Sequence, residues 1–536
     1  MGKTFIVVSI IVVVAQAWTS QGTRLYSTQR STVRRNYQRP GLTNGVTQRA
    51  DTVSRPFFKA AVYEHAVVLP LLPFYSRQAA LKAMWTNLDI YEDQVASASL
   101  QGADIIVFPE DGVYGMVMTR RKIEPFLEYI PDPQKETWNP CEEPHKYPNT
   151  DVQWRLSCMA KNNSIYIVAN IGDRKFCNKT ADPRCPDDGR YQYNTDVVYS
   201  PEGTLVARYH KYNLFDEPQF DQPTIAEEIF FDTHFGRFGL FTCFDILFRS
   251  PSVDLIEKHN VDTVLFPTAW MDALPLLAAI EYHSAFAVMM QVNLLSANIH
   301  LPSLRFGGSG IFTPVGDAAF YRDDTSHNGR LLLATIPTPF LRQPYLSDHK
   351  ISKIILSNSS HHCYEFDQTR SCDYNSLCEY FQSIVFHDLY NFVWLKGSSG
   401  NLNVCSGAAC CYLDYEMATS GNAYFALGAF DGLHSDKKSY YFQVCTLLKC
   451  ANSTGSSCGE VVQESSTYFS HIQLRGQFNT SYIAPEILVM DEKRGLALVS
   501  SGWFYDRNLQ TLRADGLLRP VISVNLLGRW YEKDPS

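Results

Sequence analysis

The chain has no surplus of positive charge. Its 536 residues carry 47 Lys and Arg against 55 Asp and Glu, a formal net charge of −8. That balance argues against nucleic acid as the main partner, because phosphate binding needs a basic surface. No internal repeat is visible. Charged residues make up only 19% of the chain and hydrophobic residues 45%, which excludes a disordered protein and supplies a sizeable core. The sequence ends "GRWYEKDPS" with no apolar tail, so the pattern of a GPI signal is missing and no membrane anchor is expected. "GGSG" at 307–310 lacks the Gly-Lys-Ser/Thr ending of a phosphate loop and reads as a turn near the pocket. His361, His362 and Cys363 lack the second ligand pair of a zinc site and read as a polar loop beside a disulfide.

What is present first suggests export. Lys3 precedes "FIVVSIIVVVAQA", and Ala15-Gln16-Ala17 has the small-x-small form of a signal-peptidase site, so residues 1–20 are expected to be a signal peptide. Its apolar core is shorter than the roughly 20 residues of a membrane span. Residues 21–56 are rich in Ser, Thr, Gln and Arg and read as a basic mobile arm. Glycosylation sequons occur at Asn162, Asn178, Asn358, Asn452 and Asn479. Fourteen cysteines in an exported chain imply disulfides. Cys177 and Cys185 flank a turn-rich loop and are expected to pair, and nine more between 363 and 458 would staple a small domain. If Cys243 is free, thirteen remain, and at least one other thiol is left over.

The pattern divides the rest of the chain. "FFKAAVYEH" reads as a strand and residues 79–100 as a helix, with Leu81, Met84, Trp85, Leu88, Tyr91 and Val95 at helical spacing. "DIIVFPED", "SIYIVANI", "GLFTCFDI", "VDTVLFP" and "NLLSANI" are strand-like, with helices near 251–259 and over 274–292. Strands alternating with helices predict an α/β layered domain over 57–345. A linker over 346–364 and a mainly β domain over 365–536 follow.

Three reactive side chains fall at strand ends, where open α/β sheets gather their catalytic groups. Glu110 closes "IIVFPE", Cys243 closes "FGLFTC", and Lys211 closes "TLVARYHK". By two-residue alternation Leu205, Ala207, Tyr209 and Lys211 share one face, which points an ammonium where apolar side chains point. Such a lysine needs a charged partner. Taken alone, Cys243 reads more readily as an inert core thiol than as a nucleophile, Glu110 also reads as a helix-start carboxylate and Lys211 as a surface lysine at a frayed strand end.

"FPEDGVYG", "RYHKYNLF" and "FTCFDILF" together resemble the Glu-Lys-Cys set of the nitrilase superfamily, and more closely the vanin and biotinidase family of secreted amidases. The likeness continues through "AKNNSIYIVANIGD", "DGRYQYNTDVV", "PTAWM", "GSGIFTP", "ALGAFDGLH" and "GRWYEKD", from about residue 57 to the end. It implies a four-layer αββα nitrilase domain followed by a β-rich domain. It also implies a triad of Glu110 as proton acceptor, Lys211 as proton donor and oxyanion stabiliser, and Cys243 as nucleophile, with no metal or organic cofactor. Glu217 would be a supporting carboxylate behind them. A secreted hydrolase of a small linear amide is expected. Several blocks look more like vanins, which release cysteamine and pantothenate from pantetheine. "LPLLAAIE" and "AFAV" look more like biotinidase, which releases biotin from biocytin. The resemblance favours a pantetheinase over a biotinidase, and the intact triad residues argue against a catalytically silent binding protein.

Overall fold

The computed structural model describes residues 55–70, 76–116, 119–338, 374, 380–419, 423–435 and 438–535. The signal segment, nearly all of the basic arm, the linker over 346–364, Asn358, the 361–363 cluster, Cys372 and Cys378 lie outside the described residues.

Residues 57–337 form two six-stranded sheets packed face to face. In the first, β1 (Phe57–Glu64), β2 (Ile105–Val107) and β3 (Tyr166–Phe176) run parallel. β4 (Arg190–Tyr199) and β5 (Leu205–His210) continue antiparallel on one side, and β12 (Arg330–Pro337) closes the other. The second sheet repeats the plan. β7 (Gly236–Leu240), β8 (Thr263–Thr268) and β9 (Asn293–Asn298) are parallel, flanked by β6 (Ile229–Thr233) and by β10 (Ser309–Thr313) with β11 (Gly316–Tyr321). Val62, Ile105, Val107 and Val168 of the first sheet meet Leu240, Val264 and Leu294 of the second in one buried core.

Helix Arg77–Leu100 begins where Ser76 Oγ accepts from the Ala79 N–H at 3.2 Å, a standard N-cap. Its Met84, Leu88 and Tyr91 pack on Ile106, Phe108 and Ile167 with helix Asp151–Asn163 beside them. The fourth layer is helix Ala279–Met290, every residue of which is buried. It is buried all round although it carries Glu281, His283 and Ser284, and it is covered by strand Tyr482–Asp491 of the C-terminal domain.

Two expectations change here. The helix expected over 274–292 starts only at Ala279, because Pro275 offers no N–H and Ala273 bridges Leu277 instead. Buried Asp272 then caps the shortened helix by accepting from the Ala279 N–H at 2.7 Å. The alternation running back from Lys211 holds through Tyr209 and Ala207, which face the inter-sheet core, but Leu205 packs in the other cluster. A register irregularity between Val198 and Tyr199, opposite this point, shifts the face.

Residues 380–529 build a seven-stranded and a five-stranded sheet, both antiparallel. They share a core of Leu413, Leu427, Leu447, Leu474 and Val524. Cys411–Cys445 joins the two sheets and Cys405–Cys410 closes a hairpin; Cys450–Cys458 adds a third staple. Cys177–Cys185 pair as expected, and Cys141 pairs with Cys158. The outer face of the seven-stranded sheet continues the inter-sheet core through Tyr440, Phe442, Ala484 and Leu488.

Candidate active site

Glu110 sits in the turn that leaves β2. The turn is tight: Asp111 has φ +58°, and a Cβ on Gly112 would stand 2.1 Å from the Tyr91 hydroxyl, so only glycine fits there. The Asp111 N–H donates to Asn170 Oδ1 at 3.2 Å, which anchors the turn to β3.

Lys211 follows β5 directly, and its N–H donates to the Asn194 carbonyl at 2.9 Å. Its ammonium donates to Glu110 Oε1 at 2.7 Å and also to Glu217 Oε1. The side chains of Lys211 and Glu110 are only 1% and 3% exposed, so this is the charged partner that a buried lysine requires. Asn194 bridges both acids, donating through Nδ2 at 2.8 Å to Glu110 Oε1 and at 2.8 Å to Glu217 Oε2. The Ala269 N–H, at the end of β8, donates to Glu110 Oε2 at 2.8 Å. Burial disfavours a charged Lys211, but Glu110 and Glu217 outweigh it and hold the ammonium well above the ordinary lysine range. Burial and the neighbouring Glu110 raise Glu217, against the pull of Lys211.

Cys243 opens the short turn Cys243–Leu247, three residues beyond β7. Its φ is +48°, a left-handed conformation that costs a non-glycine residue on the order of 1–3 kcal/mol and persists only when its surroundings over-determine it. The surroundings do so. The Thr242 N–H donates to Asp245 Oδ2 at 3.1 Å and the Thr242 hydroxyl to Asp196 Oδ2 at 2.7 Å. Asp245 Oδ2 also accepts from the Tyr209 hydroxyl at 2.7 Å. Its Oδ1 accepts from Asn213 N and Nδ2 at 2.8 and 2.9 Å. Asp196 is pushed by burial up to about 8, against the donors Asn170 and Thr242 that favour its charged form.

Cys243 is the one free cysteine among the described residues and is buried. Burial and then the negative charge of Glu110 push its thiol well above the ordinary range, with Lys211 opposing. The resting group is therefore a thiol, and a base must deprotonate it before it can attack. A carboxylate, an ammonium and a thiol that feel one another's charge make a site suited to acyl transfer at a carbonyl carbon.

Residues 76–318 match the carbon-nitrogen hydrolase family and residues 379–534 the vanin C-terminal domain. Pantetheinase of Mus musculus is 49% identical over 484 residues, covering 89% of this chain and 90% of that protein. Biotinidase of Homo sapiens is 42% identical over 512 residues, covering 92% and 93%. Among solved structures, an amidase from Nesterenkonia sp. aligns over 55% of this chain and 96% of its own at 22% identity, with a TM-score of 0.39. The chain is a carbon-nitrogen hydrolase, an enzyme of amide bonds. Within that class it belongs to the vanin and biotinidase family.

The structure brings Glu110, Lys211 and Glu217 into direct contact and sets Cys243 within their electrostatic reach. Sequence reasoning missed Asn194, which ties the two acids together, and Asp245, which holds the turn. Both lie inside motifs already singled out, "DGRYQYNTDVV" and "FTCFDILF". Neither residue type announces a role without its partner in view.

Proposed function

We propose that Cys243 is the nucleophile of a linear amide hydrolase, Glu110 its proton acceptor and Lys211 its oxyanion stabiliser. The observation that carries this reading is a buried thiol, the one free cysteine among the described residues, within electrostatic reach of a carboxylate that already holds three donors. Glu110 takes the Cys243 proton as Sγ attacks the amide carbonyl carbon. The charge on the tetrahedral oxygen is met by a proton of the Lys211 ammonium, donated to it as a hydrogen bond. The C–N bond breaks, Glu110 returns the proton to the leaving amine, and a Cys243 thioester remains. Glu110 then deprotonates a water, whose hydroxide attacks the thioester, and the acid product leaves as Cys243 regains its proton. No redox change occurs.

The substrate we assign is pantetheine, cleaved to pantothenate and cysteamine, on the strength of the pantetheinase relatives. The biotinidase relatives, which cover nearly as much of the chain, make biocytin the second reading. Purified protein offered both substrates side by side should release cysteamine. Release of lysine alone would support the second reading, and turnover of neither by folded protein would overturn both.

We further propose that the protein is exported, with residues 1–20 as its signal and separate units over 57–345 and 365–536. Five disulfides among the described residues agree with an oxidising compartment. Asn162, Asn178, Asn452 and Asn479 are all exposed and are proposed to carry glycans.

A further inference from the structure

The turn that carries Cys243 is gripped from outside its own sheet. Lys438 lies between strands Phe425–Ser435 and Ser439–Lys449 of the C-terminal domain. Its Nζ donates to Asn213 Oδ1 at 2.9 Å, across 225 positions of sequence. The half-buried ammonium stands 5.2 Å from the centre of the Phe248 ring, a cation–π distance that fixes its place. Asn213 passes the contact on, since its two N–H groups are the ones that hold Asp245 Oδ1. Asp245 Oδ2 in turn holds the N–H of Thr242, the residue before Cys243. An unbroken chain of hydrogen bonds therefore runs from the C-terminal domain to the nucleophile turn.

A second contact holds the far end of that turn. Arg529, fully buried, donates from Nε to the Leu247 carbonyl at 2.8 Å while Asp534 holds Nη2 at 2.6 Å. Between the two contacts, Phe244 and Phe248 lie against Tyr440 with ring centres 6.2 and 5.8 Å apart. A five-residue turn with a left-handed first residue cannot hold its own geometry, and it needs fixed partners at both ends.

We propose that the C-terminal domain positions the nucleophile, with Lys438 acting through Asn213 and Asp245, and Arg529 through Leu247. Lys438 is then a positioning residue for amide hydrolysis. Asn213 accepts its hydrogen bond, and through that contact it acts on the turn rather than on the reacting atoms. The inference rests on Cys243 being the nucleophile.

The test uses the full chain and the variants Lys438→Met and Lys438→Arg. Four quantities are read: kcat and KM on the amide that the wild type turns over, the rate at which iodoacetamide labels Cys243 by mass spectrometry, and the melting temperature. Lys438→Met should lower kcat about tenfold, the scale of one lost charge-assisted hydrogen bond, with KM within about twofold, as expected for displaced rather than missing machinery. Labelling should slow by a similar factor. Lys438→Arg, which still donates to Asn213, should restore most of both. Should Lys438→Met not fold, Lys438→Gln gives the same reading. Wild-type kcat and labelling in the methionine variant, a loss confined to KM, or no recovery with arginine would each overturn the proposal. Turnover by Cys243→Ala would instead overturn the nucleophile assignment, whatever the Lys438 variants do.

Discussion

Replacing Lys211 by methionine removes the only ammonium among the described residues that touches Glu110 and Glu217, while Asn194 remains bonded to both. Two consequences follow, and they separate experimentally. The first is energetic: buried Glu110 and half-buried Glu217 lose their cation, and breaking a buried pair costs roughly 3–5 kcal/mol, a large part of the about 5–15 kcal/mol that holds a typical protein folded. One carboxyl relieves this by keeping a proton. The second is kinetic. Loss of a donor aimed at the developing oxyanion lowers kcat by about 10²–10³-fold, with KM changing much less because the ground-state carbonyl carries little charge. Lys211→Arg should recover little, since a planar fork does not fit between two acids arranged around a compact ammonium. Steady-state kinetics, with circular dichroism and a thermal melt on each variant, reads all of this. Wild-type kcat in a folded Lys211→Met protein would remove Lys211 from the chemistry.

Glu110→Gln keeps the shape and the contacts of one oxygen but cannot accept the thiol proton, so kcat should fall on the order of 10²–10⁴-fold; near-normal turnover would move the base to Glu217. Cys243→Ala should give a folded, inactive protein with no trapped thioester, and substrate should slow alkylation of Cys243 in the wild type; a disulfide at Cys243 in active protein would refute the mechanism. Glu281 of helix Ala279–Met290 lies fully buried against the C-terminal domain, where it accepts from Ser523 Oγ at 3.0 Å and Asn525 Nδ2 at 3.1 Å. Burial raises its pKa from 4.5 to about 8, so the folded state keeps a proton that the unfolded chain gives up. That stabilisation is complete below about pH 4.5 and is lost as pH rises toward 8. Glu281→Gln removes this group's share of the dependence and leaves that of buried Glu486, which shares Asn525 with it, so its melting temperature relative to wild type should climb between pH 5 and 8; parallel curves would refute the assignment.

Much of the site was legible along the chain, because local pattern records what lies within a few residues. Buried strands such as Ile105–Val107 need continuous apolar side chains, and the 3–4 residue spacing of Met84, Leu88 and Tyr91 can be satisfied only by a helix with one buried face. Polar Glu110, Lys211 and Cys243 at the ends of such runs stood out by contrast. The eight-residue gap between Cys177 and Cys185 marked a pair for the same local reason. What the tertiary structure decided depends on partners far away. Leu205 changed face because Val206 is left unpaired opposite the Val198–Tyr199 step of the neighbouring strand. The resting thiol of Cys243 follows from burial and from Glu110, neither visible in its own segment. Glu281 meets Asn525 across 244 positions and Lys438 meets Asn213 across 225. Sequence pattern fixes which side chains point inward, but sheet register and the packing of one domain on another fix which of them meet. Electrostatics acts between those that meet.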